Sequence, residues 1–494
     1  MISKKINSIL LINPQNTIAA DSIRRIAIPL GLLYIGAALK GNGFKVTIID
    51  STCEGYFNTA ENNGYITYGL SEKELFEKIK AVSPDLVGIQ SMFSAHQENA
   101  LAVSRMVKRI NPAVPVVLGG VHPSLEPEKT LFNDSVDFVI MGEGETRLPR
   151  LLSMLNQGKV EFDFDGIAYK HCGKIIVNPM ENRISDLDSI PFPAWDLIDM
   201  EKYIVIGIPY APFARRDRVS HVMTSRGCPF NCVFCSTVNF WGRKFRARSV
   251  KNIIQEIDVL VNKYGINEIQ FMDDNMTIDR NRAMELFSCL KRYNLVWCTP
   301  HGIMAKTLDK EMIELMADSG AYQLAIGIES ASRRVLQEII HKSVPEKEEI
   351  KELIRVCHEN KIQMHGLFSL GYPGETKEEI METLQYPFDT GFDSVSFFIA
   401  NPMPGSELQT LCQKKGYLPE NGLKMDVKSA EIVIPEDSPD FVISRKELVD
   451  LVDKKTHEFN EFSKKRNPKA WEEKFQFFLR KYSNQEELIK GRVT

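Results

Sequence analysis

The chain has 494 residues, 43% of them hydrophobic and 26% charged, enough to build two or three ordinary cores. No run of about eighteen uninterrupted apolar residues occurs, so no transmembrane segment is expected, and the amino terminus lacks the apolar core and cleavage site of a secretory signal. The formal net charge of −4 gives no reason to expect nucleic acid or an anionic membrane as a partner, and the cytoplasm is the expected compartment.

Up to about residue 156 the sequence alternates apolar β-rich runs with amphipathic stretches, the pattern of a parallel sheet covered by helices. Strands are expected at 8–13, 44–50, 85–90, 114–119 and 136–141, with helices at 31–40 and 95–110. Five strands with intervening helices imply an α/β, doubly wound, Rossmann- or flavodoxin-like domain. Ligands of such sheets lie beyond the carboxyl ends of the strands. Those ends carry Asn13, Ser91, Gly119, Gly120 and His122, and the run Gly142, Glu143, Gly144 and Glu145.

From 157 to 205 regularity is lost, and a hairpin and connector are expected there. The β/α rhythm then resumes. Strands are expected at 221–225, 268–272, 323–328, 363–370 and 394–399, and helices at 250–264, 280–293 and 346–360. A complete or partial (β/α) barrel over 206–430 fits this rhythm. Residues 431–494, rich in Lys and Glu, read as a small helical segment.

Three of the nine cysteines, Cys228, Cys232 and Cys235, fall within eight residues. That is not the dispersed pattern of a disulfide framework. Three thiolates so spaced converge on one centre only in a tight loop, which Pro229 and Asn231 suit. A structural zinc ion takes four ligands, so a remote Cys298 or His301 would have to complete it. A four-iron cluster with three protein ligands instead keeps one iron open.

The spacing Cys-x3-Cys-x2-Cys, with Phe234 before the third cysteine, resembles the signature of radical S-adenosylmethionine (SAM) enzymes. The resemblance implies a 4Fe-4S cluster on Cys228, Cys232 and Cys235, SAM chelated at the open iron, and Phe234 against the adenine. It also implies roles for Asp273 and Asp274 near the methionyl amine, or else an ordinary Asx turn there. Glu329 would take ribose hydroxyls, with Ser330 beside it as a plain helix cap. One of Arg243, Lys244, Arg246 and Arg248 would pair with the SAM carboxylate if the run is not simply a solvated face. A flavodoxin- or ferredoxin-type electron donor is the expected partner.

The segments 29–39, 117–123 and 142–146 resemble the cobalamin (B12)-binding domain of the B12-dependent radical SAM enzymes, so that the resemblance spans about residues 5–430. Mutase-type cobalamin domains carry Asp-x-His-x-x-Gly; no histidine here follows an aspartate by two, so that kind of cobalt ligand is not expected, and His122 reads as a pocket-lining or packing residue. The resemblance implies methylation of an unactivated carbon of a small molecule or lipid through a 5′-deoxyadenosyl radical and methylcobalamin. Alternatives are anaerobic cyclisation of a tetrapyrrole, as by Mg-protoporphyrin monomethyl ester cyclase, or a non-enzymatic corrinoid-binding module. Methylthiolation is disfavoured, because only Cys53 and Cys172 precede Cys228.

Overall fold

The computed structural model describes residues 5–20, 22–207, 214–419 and 432–481. The chain divides into two compact units: residues 1–206 with Asn239–Gly242, and residues 207–238 with 243–494.

In the first unit the strands β1 (Ser8–Asn13), β2 (Lys45–Asp50), β3 (Leu86–Gln90), β4 (Val116–Gly119) and β5 (Phe138–Ile140) are parallel and lie in the order 2-1-3-4-5. This is the flavodoxin order, whose switch point falls between β1 and β3. The strands are apolar throughout because helices cover both faces. Leu10, Ile12, Val87, Ile89, Val116 and Leu118 are buried in one core with Ala100, Val103 and Val107 of helix Gln97–Ile110. The expected hairpin forms as β6 (Ile167–His171) and β7 (Lys174–Asn178), and it extends the same sheet antiparallel beyond β5. A small sheet of Asn16–Ala19, Tyr65–Tyr68 and Thr59–Asn62 was not legible, because its short strands are polar and half-exposed.

In the second unit β8 (Val219–Val222), β9 (Glu268–Phe271), β10 (Val296–Ile303), β11 (Ala321–Glu329), β12 (Gln363–Leu370) and β13 (Ser394–Ile399) form one parallel sheet in sequential order, a partial barrel. Sequence reading missed β10 and the helix Lys310–Asp318 that follows it. Pro300, His301 and Gly302 interrupt the apolar pattern of β10, and its register with β11 shifts twice. Helix Val250–Tyr264 forms as expected, with Ser249 capping the Asn252 amide and Gly265 left-handed at its end. On the helix-covered side, Trp297 stacks on Phe287 and meets Phe271 edge-on. The helix Arg445–Arg466 lays Leu448 and Val452 against Leu370, Phe397 and Ile399, covering the edge strand β13. A second helix, Pro468–Lys481, follows, and residues 431 and 482–494 of the expected helical segment lie outside the described residues. Among the described residues no helix is long and apolar enough to cross a membrane.

Candidate functional site

In the second unit the cysteine loop follows the short strand Ser225–Arg226, which pairs with Arg246–Ala247. Cys228, Cys232 and Cys235 are half-buried free thiols. Burial raises Cys232 to about 11 and Cys228 above the usual thiol range; Cys235 adds to the rise at both, and Cys228 to that at Cys232. Among the described residues no set of three His, Cys, Asp or Glu side chains is gathered closely enough to hold a single metal ion. The loop is fastened at its middle: Val233 N donates to Ile340 O at 3.0 Å, and Leu408 N donates to Val233 O at 2.9 Å.

Asp273 and Asp274 flank the loop from the end of β9; Asp273 is buried and Asp274 half-buried. Asp273 Oδ1 accepts from Thr224 Oγ1 at 2.7 Å and Ser225 Oγ at 2.5 Å, and Oδ2 accepts from Thr224 N at 3.0 Å. Its carboxylate is therefore committed to the strand that enters the cysteine loop. Asp274 is pushed up to about 6 by burial and by Asp273, while accepting from Gly227 N and Thr237 Oγ1. The neighbouring Asn275 keeps a buried Nδ2 with no partner among the described residues.

Glu329 stands at the end of β11 with a left-handed backbone, φ 66°. Its Oε1 accepts from Lys342 Nζ at 2.7 Å, a pairing that no sequence motif announced. Phe234 is half-buried, its ring 6.4 Å from that of Tyr372. Glu375 closes the loop after β12 on itself, accepting from Gly371 N at 2.6 Å and Tyr372 N at 3.1 Å, and burial lifts it to about 7.

The basic run splits. Arg243 and Lys244 are exposed, and Arg243 donates to Asn231 of the cysteine loop at 2.6 Å. Arg246 and Arg248 are buried. Arg248 binds the buried Glu256 and the carbonyl of Met223. It is a brace of the barrel wall, which only the tertiary structure reveals.

On the sheet face opposite the helices, polar groups line the strands. Glu268 Oε1 accepts from Tyr322 at 2.7 Å, and Tyr322 also meets Cys298 Sγ at 3.2 Å. His221, lowered to about 4 by burial, bonds to Gln270, and its Nε2 meets no partner among the described residues. His365 bonds through both ring nitrogens, to Ser394 Oγ at 2.8 Å and Ser396 Oγ at 3.1 Å.

In the first unit the predicted residues gather at the carboxyl ends of β1, β3, β4 and β5, but with differing roles. Asn13 donates to Asp50 Oδ1 at 2.9 Å and accepts from Gln90 at 3.2 Å, so it ties three strand ends together. Ser91 and His122 are joined by a backbone bond, His122 N to Ser91 O at 3.3 Å. Both are buried, and Ser91 Oγ and His122 Nε2 meet no partner among the described residues. His122 Nδ1 is held by Ser94 Oγ at 2.8 Å, and burial lowers the ring to about 4, so it is neutral. Gly120 has φ 112°, and a β-carbon there would stand 2.6 Å from Ser91 O, which excludes any other residue. Gly119 is in open backbone contact with β5.

The run 142–145 is largely structural. Gly142 turns the chain at φ 67°. Glu143, 1% exposed, accepts from Ile184 N at 2.7 Å, and a β-carbon on Gly144 would press on Ile35 of helix Leu30–Gly41 at 3.0 Å. Glu145 is half-buried in the first turn of helix Gly144–Asn156. Arg147, missed by sequence reading, organises this loop by donating to Met141 O at 3.1 Å and to Asp165 Oδ2 at 2.7 Å. Ser91 Oγ and His122 Nε2, buried without partners among the described residues beside Gly120, which packs on the Ser91 carbonyl, are the cradle in which the polar edge of a corrinoid would find hydrogen bonds.

Comparison with known proteins finds a match in each of the two units. Residues 16–152 match the B12 binding domain family and residues 222–386 the Radical SAM superfamily. The chain is 35% identical over 490 residues to the cytidylyl-2-hydroxyethylphosphonate methyltransferase of Streptomyces wedmorensis, spanning 93% of this chain and 91% of that protein. It is 29% identical over 435 residues to the anaerobic magnesium-protoporphyrin IX monomethyl ester cyclase of Rubrivivax gelatinosus, spanning 86% of this chain and 72% of that protein. Among solved structures, the fold is that of the radical SAM methyltransferase TsrM from Kitasatospora setae, with a TM-score of 0.67 at 18% identity, covering 83% of this chain and 76% of that one. Its cofactors are accordingly a 4Fe-4S cluster, SAM and cobalamin. The chain belongs to the cobalamin-dependent radical SAM enzymes, in their methyltransferase branch.

Proposed function

We propose that this enzyme methylates an unactivated carbon of a small polar organic molecule, with Cys228, Cys232 and Cys235 as the cluster ligands. When bound, the cluster with SAM supplies a hydrogen-abstracting 5′-deoxyadenosyl radical, and cobalamin supplies the methyl group. The protein's own part is to hold and orient. Asp273 and Asp274 fix the entry to the cysteine loop through Thr224, Ser225 and Gly227. Phe234 offers a flat apolar face to adenine. Glu329, whose Oε2 has no hydrogen bond among the described residues, takes ribose hydroxyls. In the first unit Gly120 lets the Ser91 backbone pack against the strand end, and Ser91 Oγ and His122 Nε2 bond to the edge of a corrinoid.

The observation that carries the reading is the loop bearing Cys228, Cys232 and Cys235, pinned at Val233 by backbone bonds to Ile340 and Leu408. A polar substrate rather than a lipid is favoured by His221, Gln270, His365, Ser394 and Ser396 on the barrel's inner face. The nucleotidyl phosphonate named for the Streptomyces relative is the first compound to try. A low-potential acidic electron-transfer protein would meet the exposed Arg243 and Lys244 beside Asn231. Nine free thiols suit the reducing cytoplasm.

The test is an anaerobic assay with methyl-labelled SAM and a panel of candidate substrates. A product heavier by one methylene supports methylation. Ring or carbonyl formation without label would establish the cyclase-type reaction instead.

A further inference from the structure

Gln90 belongs to no motif, yet it ends β3 as the last link of a hydrogen-bonded relay across three strand ends. The relay starts at Tyr203, on helix Met200–Ile206, whose hydroxyl donates to Asp50 Oδ2 at the end of β2. Asp50 Oδ1 accepts from Asn13 Nδ2 at 2.9 Å and from Cys53 N at 3.2 Å. Asn13 Oδ1 in turn accepts from Gln90 Nε2 at 3.2 Å, a bond that bridges β1 and β3.

Every link has a fixed direction. Three donors meet the carboxylate of Asp50, and burial lifts it only to about 6, so at pH 8 it accepts and donates nothing. Asn13 must therefore turn its amino group to Asp50 and its oxygen to Gln90. Gln90 must turn its amino group to Asn13, which leaves Oε1 outside the relay. That oxygen accepts no hydrogen bond among the described residues. A β-carbon on Gly31, in the first turn of helix Leu30–Gly41, would stand 3.5 Å from it, so the glycine leaves it uncovered on that side. A carboxylate two side chains away thus decides that the strand end shows an acceptor rather than a donor.

Packing alone does not require this. Asp50 is 3% exposed, and an apolar side chain there would avoid the desolvation that a buried carboxylate suffers. The place of the relay supplies a target. In a sheet of this order the ligand lies in the crevice where the strand order reverses, between β1 and β3, and the Asn13–Gln90 bond spans those two strands. A corrinoid carries carboxamide arms around its rim, and their N–H groups are donors.

We infer that Gln90 is a further corrinoid contact, its Oε1 accepting from one of the propionamide arms, the longest on the rim, with Asp50 and Tyr203 as the positioning residues that keep this oxygen outward. The inference rests on cobalamin binding in the first unit.

The test is equilibrium dialysis of the full chain at pH 8 against hydroxocobalamin and its b-, d- and e-monocarboxylates, in each of which one propionamide has become a carboxylate. For the wild type, at least one monocarboxylate should bind about tenfold more weakly than hydroxocobalamin, because its N–H donor is lost and a second acceptor faces Oε1. Gln90→Met should weaken hydroxocobalamin and bind that monocarboxylate within about twofold of it. Asp50→Ala lets both amides turn either way and should lose the discrimination too, whatever its overall affinity. A merely structural disturbance weakens all corrinoids alike and leaves their ratio unchanged. The inference is overturned if Gln90→Met discriminates as the wild type does, or if the wild type binds all the corrinoids alike. Wild-type discrimination by Asp50→Ala overturns the positioning role. A wild type that retains no hydroxocobalamin overturns instead the cobalamin site on which the inference rests, and this is read before any comparison.

Discussion

The amide of Val233, at the centre of the cysteine loop, donates to the carbonyl of Ile340, the last residue of a π-helix, at 3.0 Å. The loop thus takes its shape from an element that follows β11, not only from its own proline and asparagine. Val233→Pro removes this donor. Iron retained after reconstitution and desalting should fall to roughly half or less, while far-ultraviolet circular dichroism stays unchanged.

Asp273 braces the strand that leads into the same loop. Asp273→Asn puts an amide donor where Thr224 N, Thr224 Oγ1 and Ser225 Oγ now donate. The barrel should lose about 1–3 kcal/mol of stability, the usual cost of a buried donor left unsatisfied. Urea unfolding followed beside iron content measures both effects, and unchanged values in both would remove the bracing role.

Glu268 gives a pH signature. Burial holds its carboxyl at about 7 although the Tyr322 hydroxyl and the amides of Arg215 and Arg216 pull it down. Its folded pKa lies above its unfolded one, so the folded chain binds the extra proton between about 4.5 and 7. Stability from this group is complete below that window and declines as pH rises through it. Glu268→Gln should flatten the fall in unfolding free energy between pH 5 and pH 7 by up to about 1.4 kcal/mol per pH unit. Denaturation midpoints of both proteins across that range provide the check.

Gly120 tests the corrinoid cradle. A methyl group at this position meets the Ser91 carbonyl at 2.6 Å, on a backbone with φ 112° that L-residues avoid. Gly120→Ala should abolish retention of cobalamin after gel filtration, read from its visible absorption, while iron content of the cysteine loop is preserved.

Much of this was legible in the sequence where one local signal sufficed. The five parallel strands of the first unit are apolar runs between clear helices, and Ser249 and Gly265 bracket their helix by cap chemistry. The cysteine spacing is local too. The β10 strand escaped because Pro300, His301 and Gly302 break its pattern, and its register is kept by bulged pairing with β11. Residues whose roles depend on distant partners were beyond reach. Lys342, Arg147 and Arg248 look like ordinary surface charges until the fold buries them against Glu329, Asp165 and Glu256. Glu143, read from its glycine-rich loop as a ligand contact, also accepts the amide of Ile184, a partner the sequence did not announce.

The central claim is that a cluster on Cys228, Cys232 and Cys235 starts a radical methylation. The most direct measurement is anaerobic reconstitution with iron, sulfide and cobalamin, followed by reduction and quantification of 5′-deoxyadenosine from SAM, for wild type and for Cys228→Ala, Cys232→Ala and Cys235→Ala. The wild type should give 5′-deoxyadenosine, and none of the three variants should give any above background. Cleavage of SAM by a variant lacking one of these thiols, or none by an iron-loaded wild type, would contradict it.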